Sequence, residues 1–285
     1  MSVFHRLLLN KRDDLRAGWW IAIFVLLLAS VVAPAYALAE RYRYQVTEPG
    51  LALMIVAVTV ICQLLRRAPL AEVFGRPDAA WLKQLGIGLG AGGLLVAVPA
   101  LVLTFLGSLH WQPTYTDPVP LIMGLGTLVA IAVAEEVLFR GFVFQRLVDG
   151  VGVWPAQVAV AGLFLLTHLN NPGMAGPSEI WAAVNIVLTS MLFGLAYLRT
   201  RSLAMSIGLH FMTNLVMGPI PGLGVNGHQE VGVFWPTYSA APSWLTGGDP
   251  GLASNAPGMI CVVLVMIMLF LTPDAEPRGT VLRTG

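Results

Sequence analysis

From Trp19 to Ala39 the chain runs for 21 residues without a charged side chain. About 20 apolar residues suffice to cross roughly 30 Å of hydrocarbon, so this stretch favours a membrane span over a soluble core helix. Seven more apolar stretches follow. Spans are expected at Trp19–Ala39, Leu51–Leu65, Leu82–Leu109, Val119–Leu147, Val153–Leu169, Trp181–Leu198, Ser202–Met217 and Ala256–Leu271. Only 11% of the 285 residues are charged, against about 25% in a soluble domain. That leaves too little polar surface for a soluble enzyme. The expected fold class is therefore all-α, a polytopic transmembrane helix bundle of about eight spans. Strand-like alternation is absent, which argues against an outer-membrane barrel. A net charge of +1 supplies no basic patch, so nucleic acid is not an expected partner. Cys62 and Cys261 both sit inside apolar runs, which excludes a disulfide framework or a cysteine-based zinc finger.

Charge sets the expected orientation. Of 16 Lys and Arg residues, only Arg41 and Arg43 fall on one side of the alternating spans. The others cluster before the first span (Arg6, Lys11, Arg12, Arg16), in the second loop (Arg66, Arg67, Arg76, Lys83), near Arg140 and Arg146, at Arg199 and Arg201, and in the tail (Arg278, Arg283). The positive-inside rule then places both termini in the cytoplasm. Ala37-Leu38-Ala39 resembles a signal-peptidase site, but the apolar stretch before it is longer than the 7–15 residues such a signal uses. The expectation is an uncleaved first helix.

Four regions are expected. Residues 1–118 hold helices one to three. Residues 119–217 form a core of helices four to seven. Residues 218–255 are an outer Gly/Pro-rich loop with no Lys or Arg but with Trp235, Tyr238 and Trp244, suited to grazing the headgroups or to covering a cavity. Residues 256–285 are a final helix and a cytoplasmic tail.

Ionisable side chains inside spans cost on the order of 2.5–3.5 kcal/mol each, and here they cluster. Glu135, Glu136 and Arg140 lie on the fourth span, His168 near the end of the fifth, and His210 with Asn214 on the seventh. At 1.5 Å per residue, Glu135, His168, His210 and Asn214 lie about 20, 21, 12 and 18 Å from the cytoplasmic surface. Such groups are stabilised by facing one another or water rather than lipid. Glu136 and Arg140 are four apart with the acid first, the favourable order for an ion pair and a structural brace. Glu135 points about 100° away from Glu136 and has no cation near it in sequence, so it is the carboxylate free for chemistry. His210 and Asn214 share one helical face, where an imidazole and a carboxamide can both donate to one oxygen. Gly86, Gly88, Gly90, Gly92 and Gly93 are expected to let helices approach closely.

These residues carry a resemblance. Glu135-Glu136-Val137-Leu138-Phe139-Arg140 resembles the E-E-x-x-x-R motif of the CPBP family, the CAAX-processing and bacteriocin-processing (Abi) membrane peptidases. Phe164-Leu165-Leu166-Thr167-His168 is similar to its F-x-x-x-H motif, and His210-Phe211-Met212-Thr213-Asn214 to its H-x-x-x-N/D motif. All three occur in order on separate spans, between about Leu121 and Met217. The resemblance implies an eight-helix, all-α fold with a cavity opening into the membrane and toward the cytoplasm, and intramembrane endopeptidase activity. Because the sequence shows no eukaryotic targeting signal, the expected place is the cell membrane, as a multi-pass protein of a bacterial inner membrane. Glu135 takes the catalytic glutamate position and His168 the position of the histidine that helps activate water. His210 and Asn214 take the oxyanion positions, while Glu136 and Arg140 are structural. The expected partners are a peptide or membrane-protein substrate and the lipid bilayer.

Hydrolysis by a glutamate-activated water needs no cofactor, and none is favoured. The alternative is zinc held by Glu135, His168 and His210, an acceptable ligand set that lacks the H-E-x-x-H spacing. Two other functions compete: a non-catalytic bacteriocin-immunity or scaffold protein, and a proton-coupled transporter using Glu135 as a relay. Absence of an internal repeat counts against the transporter.

Overall fold

The structure is a computed structural model that describes residues 8, 9, 14–114, 118–171, 174, 179–223, 232–239, 241–248 and 251–272. Arg6, Lys11, Arg12, Arg278, Arg283, His5 and His228 lie outside the described residues, as do parts of the 218–255 segment.

The architecture is mostly helical. In chain order the elements are α1 (Ala17–Tyr42), α2 (Glu48–Leu65), the short α3 (Ala71–Phe74), α4 (Ala79–Phe105), β1 (Leu109–Pro113), α5 (Pro118–Glu136), a π-helical turn (Val137–Gly141) and α6 (Phe142–Val151). They continue as α7 (Val153–His168), α8 (Glu179–Thr200), α9 (Ala204–Met217), β2 (Phe234–Tyr238), the short α10 (Ser243–Thr246), a 3₁₀ turn (Gly251–Ser254) and α11 (Ala256–Leu271). Among the described residues four helical segments are long and apolar enough to cross a membrane: Ala17–Tyr42, Glu48–Leu65, Ala71–Phe105 and Glu179–Thr200. Val153–His168, Ala204–Met217 and Ala256–Leu271 are shorter apolar helices.

Local chemistry explains the helix starts. The Thr47 hydroxyl accepts from the Gly50 N–H (3.3 Å) at the start of α2, the Asp78 carboxylate from Trp81 (2.9 Å) at α4, and Asn255 from Gly258 (2.6 Å) at α11. Each satisfies one of the N–H groups a helix start leaves without an intrahelical partner.

Two expectations need correction. The fold is not purely all-α, because β1 pairs antiparallel with β2, Leu109 opposite Tyr238 and Pro113 opposite Phe234. Five-residue strands more than a hundred residues apart are too short to leave a period-two signal. β2 lies in the 218–255 segment and β1 follows α4, and Tyr238, Leu223, Leu245 and Leu252 pack with Val96, Ala100, Leu103 and Met217 over the ends of α4 and α9. Burial pushes the Tyr238 phenol up to about 12. The third apolar stretch also ends sooner than expected, at Phe105, because the chain turns there into β1.

The tightest helix pair is α4 with α9, and glycine makes it possible. A Cβ on Gly88 would meet the Met205 carbonyl oxygen, one on Gly92 the Leu209 carbonyl oxygen, and one on Gly208 the Leu85 carbonyl oxygen at 2.6 Å. The two backbones are therefore in direct contact, the small-residue packing suited to a bilayer. Of the glycines expected to do this, Gly86 and Gly90 do not, since their Cβ positions meet nothing within 4 Å. Gly92→Leu is expected to destabilise by about 1–3 kcal/mol through overpacking. Gly86→Leu should stay within about 0.5 kcal/mol of wild type. Thermal unfolding of both variants in one detergent checks the contrast.

Candidate active site

The contact between α4 and α9 fixes His210, two residues after Gly208. On the facing helix α5 ends at Glu136, and the π turn places Arg140 and Gly141 where an uninterrupted α-helix would not. Gly141 is crowded by Val73 of α3, whose Cγ1 lies 3.3 Å from where a Cβ would sit. π turns recur at functional sites because one extra residue re-aims the side chains around it.

Glu136 and Arg140 are both fully buried, with Glu136 Oε1 and Arg140 Nη1 3.2 Å apart. Arg140 Nη2 also donates to the Ser190 carbonyl (2.9 Å) and hydroxyl (2.7 Å) of α8. Its guanidinium carbon lies 4.8 Å from the ring centroid of Phe164 and 5.3 Å from that of Phe193. A buried charge tolerates such a place only when paired and hydrogen-bonded, and stacking on aromatic faces adds a cation–π term.

Glu136 does more than brace Arg140. Its Oε1 also lies 3.0 Å from His210 Nδ1. Because Arg140 holds Glu136 as a carboxylate, that oxygen accepts and Nδ1 carries the proton. The opposite ring nitrogen, Nε2, is thereby turned to Glu135, 3.8 Å from its Oε2. Phe193 stacks on the imidazole with ring centroids 5.2 Å apart. Glu135 differs from its neighbour in access: its side chain is 29% exposed while that of Glu136 is 0%. No partner for Glu135 Oε2 satisfies hydrogen-bond geometry among the described residues.

His168 closes α7. Its Nδ1 lies 2.7 Å from the Phe164 carbonyl oxygen, which can only accept, so Nδ1 donates and Nε2 keeps its lone pair in the neutral ring. The two rings are 4.4 Å apart. Phe164 thus links His168 to Arg140, which gives the Phe-x-x-x-His spacing a physical reason. Asn214 lies one turn beyond His210 on α9 and is half-buried. Among the described residues no hydrogen bond or ion pair joins His168 or Asn214 to Glu135.

The structure therefore brings Glu135, Glu136, Arg140 and His210 into one connected cluster, with His168 attached through Phe164. Sequence reasoning missed the bond from His210 to Glu136, Ser190 and the Phe193 ring, and it quoted Phe139 and Phe164 in motifs without their contacts to Arg140. Spacing does not encode the His210, Ser190 and Phe193 contacts, since each is made between helices.

The zinc alternative fits this geometry poorly. Among the described residues no three His, Cys, Asp or Glu side chains converge as a metal-holding group, so Glu135, His168 and His210 do not form one. His210 Nδ1 is committed to Glu136.

A family model described as Type II CAAX prenyl endopeptidase Rce1-like matches residues 117–216, about a third of the chain. The match spans the π turn, both histidines and Asn214. No curated protein matches the chain.

Proposed function

Since residues 117–216 are a domain of the Rce1-like, type II CAAX prenyl endopeptidase family, whose membership implies CAAX-type intramembrane endopeptidase activity, we propose that the chain hydrolyses peptide bonds within the membrane by a glutamate-activated water. The observation that carries the reading is the pairing of Glu135, whose side chain is 29% exposed and whose Oε2 is buried without a hydrogen-bonded partner among the described residues, with an imidazole whose orientation Glu136 fixes. A separation of 3.8 Å is too long for a direct hydrogen bond. One substrate water at the apex, about 2.8 Å from each group, bridges it comfortably.

The steps follow from the donor inventory. Glu135 takes a proton from the water, whose oxygen attacks the substrate carbonyl carbon. The carbonyl oxygen becomes the oxyanion of a tetrahedral intermediate. Asn214 donates to that oxygen from its carboxamide. His210 donates to it only with Nε2 also protonated, because Nδ1–H already points to Glu136; that second proton comes from solvent before the attack and stays on the ring throughout. His168, with Nε2 unprotonated, accepts a hydrogen bond from the water. The C–N bond then breaks and Glu135 returns its proton to the leaving amine. General acid–base catalysis of this kind is worth about 10²–10⁴-fold.

We read the helices as an eight-span bundle with the basic ends of α2, α6 and α8 in the cytoplasm. β1, β2 and the segments packed with them cover the other end, so the substrate enters from the cytoplasmic side or from the bilayer.

The test is cleavage of a membrane-peptide library, with and without prenylated C-termini, by detergent-purified protein, with products identified by mass spectrometry. Cleavage that survives a strong chelator is the expected result. Loss on chelation with recovery on added zinc overturns the glutamate–water mechanism. Cleavage confined to prenylated peptides would assign the substrate class.

A further inference from the structure

At the end of the bundle opposite β1 and β2, the start of α1 stands beside α2, α3 and α6 around a cavity of about 1220 Å³. Arg16, Arg66 and Arg146 line it, together with Trp19 and Trp20. The lining also includes Asp14, Glu72 and Asp149. Glu72 is shared by Arg66 Nη1 (3.1 Å) and Arg146 Nη2 (2.7 Å), and Arg146 Nη1 reaches Asp149 (2.9 Å). Both guanidiniums lie over the Phe142 ring, 5.8 Å from its centroid. Arg146 is only 8% exposed, and its Nε has no hydrogen-bond partner among the described residues. The 26-residue α1 begins at this cavity with no side-chain cap and no acid in its first turn.

We propose that this cavity binds the phosphodiester of an amine-bearing phospholipid headgroup. Three features converge on that chemistry. A helix start presents N–H groups and the positive end of its dipole to an anion. Planar guanidiniums match phosphate oxygens in pairs. Trp19 and Trp20 at the first turn of a membrane helix are the side chains that settle at headgroup level. The acids decide between headgroups. Glu72 lies between two arginines, whereas the Asp149 side chain is 56% exposed at the rim. Arg146 is the most deeply buried of the lining charges, and the acids Asp14 and Asp149 are exposed at the rim beside Arg16, which suits a phosphate facing Arg146 and an ammonium facing the rim acids. A headgroup with phosphate alone leaves Asp149 facing a like charge.

The assignment does not rest on the peptidase reading, and it is read by binding rather than by turnover. Native mass spectrometry of the full chain in detergent would titrate phosphatidylethanolamine, phosphatidylglycerol and soluble glycerophosphoethanolamine. Gly18→Phe fills the cavity from a position whose Cβ meets nothing within 4 Å, leaving the ion pairs intact. Arg146→Gln removes a phosphate partner, and Arg76→Gln is an exposed control outside the lining. The expected result is one retained phosphatidylethanolamine, held at least about tenfold less tightly by Gly18→Phe and Arg146→Gln and equally by Arg76→Gln. Equal retention by all variants overturns the site. Equal affinity for phosphatidylglycerol overturns the amine assignment, and equal affinity for glycerophosphoethanolamine overturns the lipid one. Should Arg146→Gln fail to fold, Gly18→Phe alone decides.

Discussion

Glu135→Gln is expected to lower peptide cleavage by about 10³-fold or more while the protein remains folded. Glutamine keeps the size of the side chain and cannot accept the proton of the attacking water. Structurally the change is mild, because Glu135 is partly exposed and makes no ion pair closer than the 3.8 Å approach to His210. Thermal unfolding should therefore shift little. Glu136→Gln should behave differently: it removes a buried charge beside Arg140 and loosens His210, so stability and cleavage fall together. Measuring both quantities for both variants separates the base from the residue that positions its partner. A Glu135→Gln protein that cleaves within about tenfold of wild type would sink the proposed mechanism. If wild type cleaves nothing and Glu135→Gln only changes stability, the scaffold reading gains.

Arg140→Ala is expected to cost about 3–5 kcal/mol of stability, the range found when one partner of a buried ion pair is removed. Three consequences add up at this position. Glu136 is left as an uncompensated carboxylate with no water to solvate it. The Ser190 hydroxyl and carbonyl lose a donor. The Phe139, Phe164 and Phe193 rings lose the cation they surround, which opens a cavity. The double variant Glu136→Gln, Arg140→Met should recover part of the loss, since it leaves no charge buried. Thermal unfolding in detergent reads the effect. A single Arg140→Ala variant as stable as wild type would show that the cluster does not hold α5, α8 and α9 together.

Much of this was legible from the residues. Apolar run lengths located the helices because hydrocarbon thickness leaves few other solutions, and α1, α2, α4, α7, α8, α9 and α11 occur where the runs do. The i, i+4 spacing foretold the Glu136–Arg140 pair, since both lie on one helical face. What spacing could not supply is which helix faces which. The expectation treated Glu136 as a brace alone, and the His210 bond that gives it a second role spans 74 residues. Ser190 belongs to no motif, yet its hydroxyl and carbonyl accept from Arg140 across the helix interface. The sheet of β1 and β2 escaped for a related reason: its pairing is a long-range event written in five residues on each side.

The π turn carries one more implication. An α-helix advances about 100° per residue, so an inserted residue rotates everything beyond it by that angle relative to everything before it. Residues 118–136 and 142–151 are thus two helices out of phase, joined end to end. The first half aims Glu135 and Glu136 toward α9. The second aims Arg146 toward Glu72 and the opposite end of the bundle. Forcing the turn into a regular α-helix at the same chain length would swing one of those two sets by about 100° onto the wrong neighbour, whereas deleting one residue would remove the turn and leave both sets in place. The irregularity is what lets a single stretch of chain serve two differently placed sets of partners.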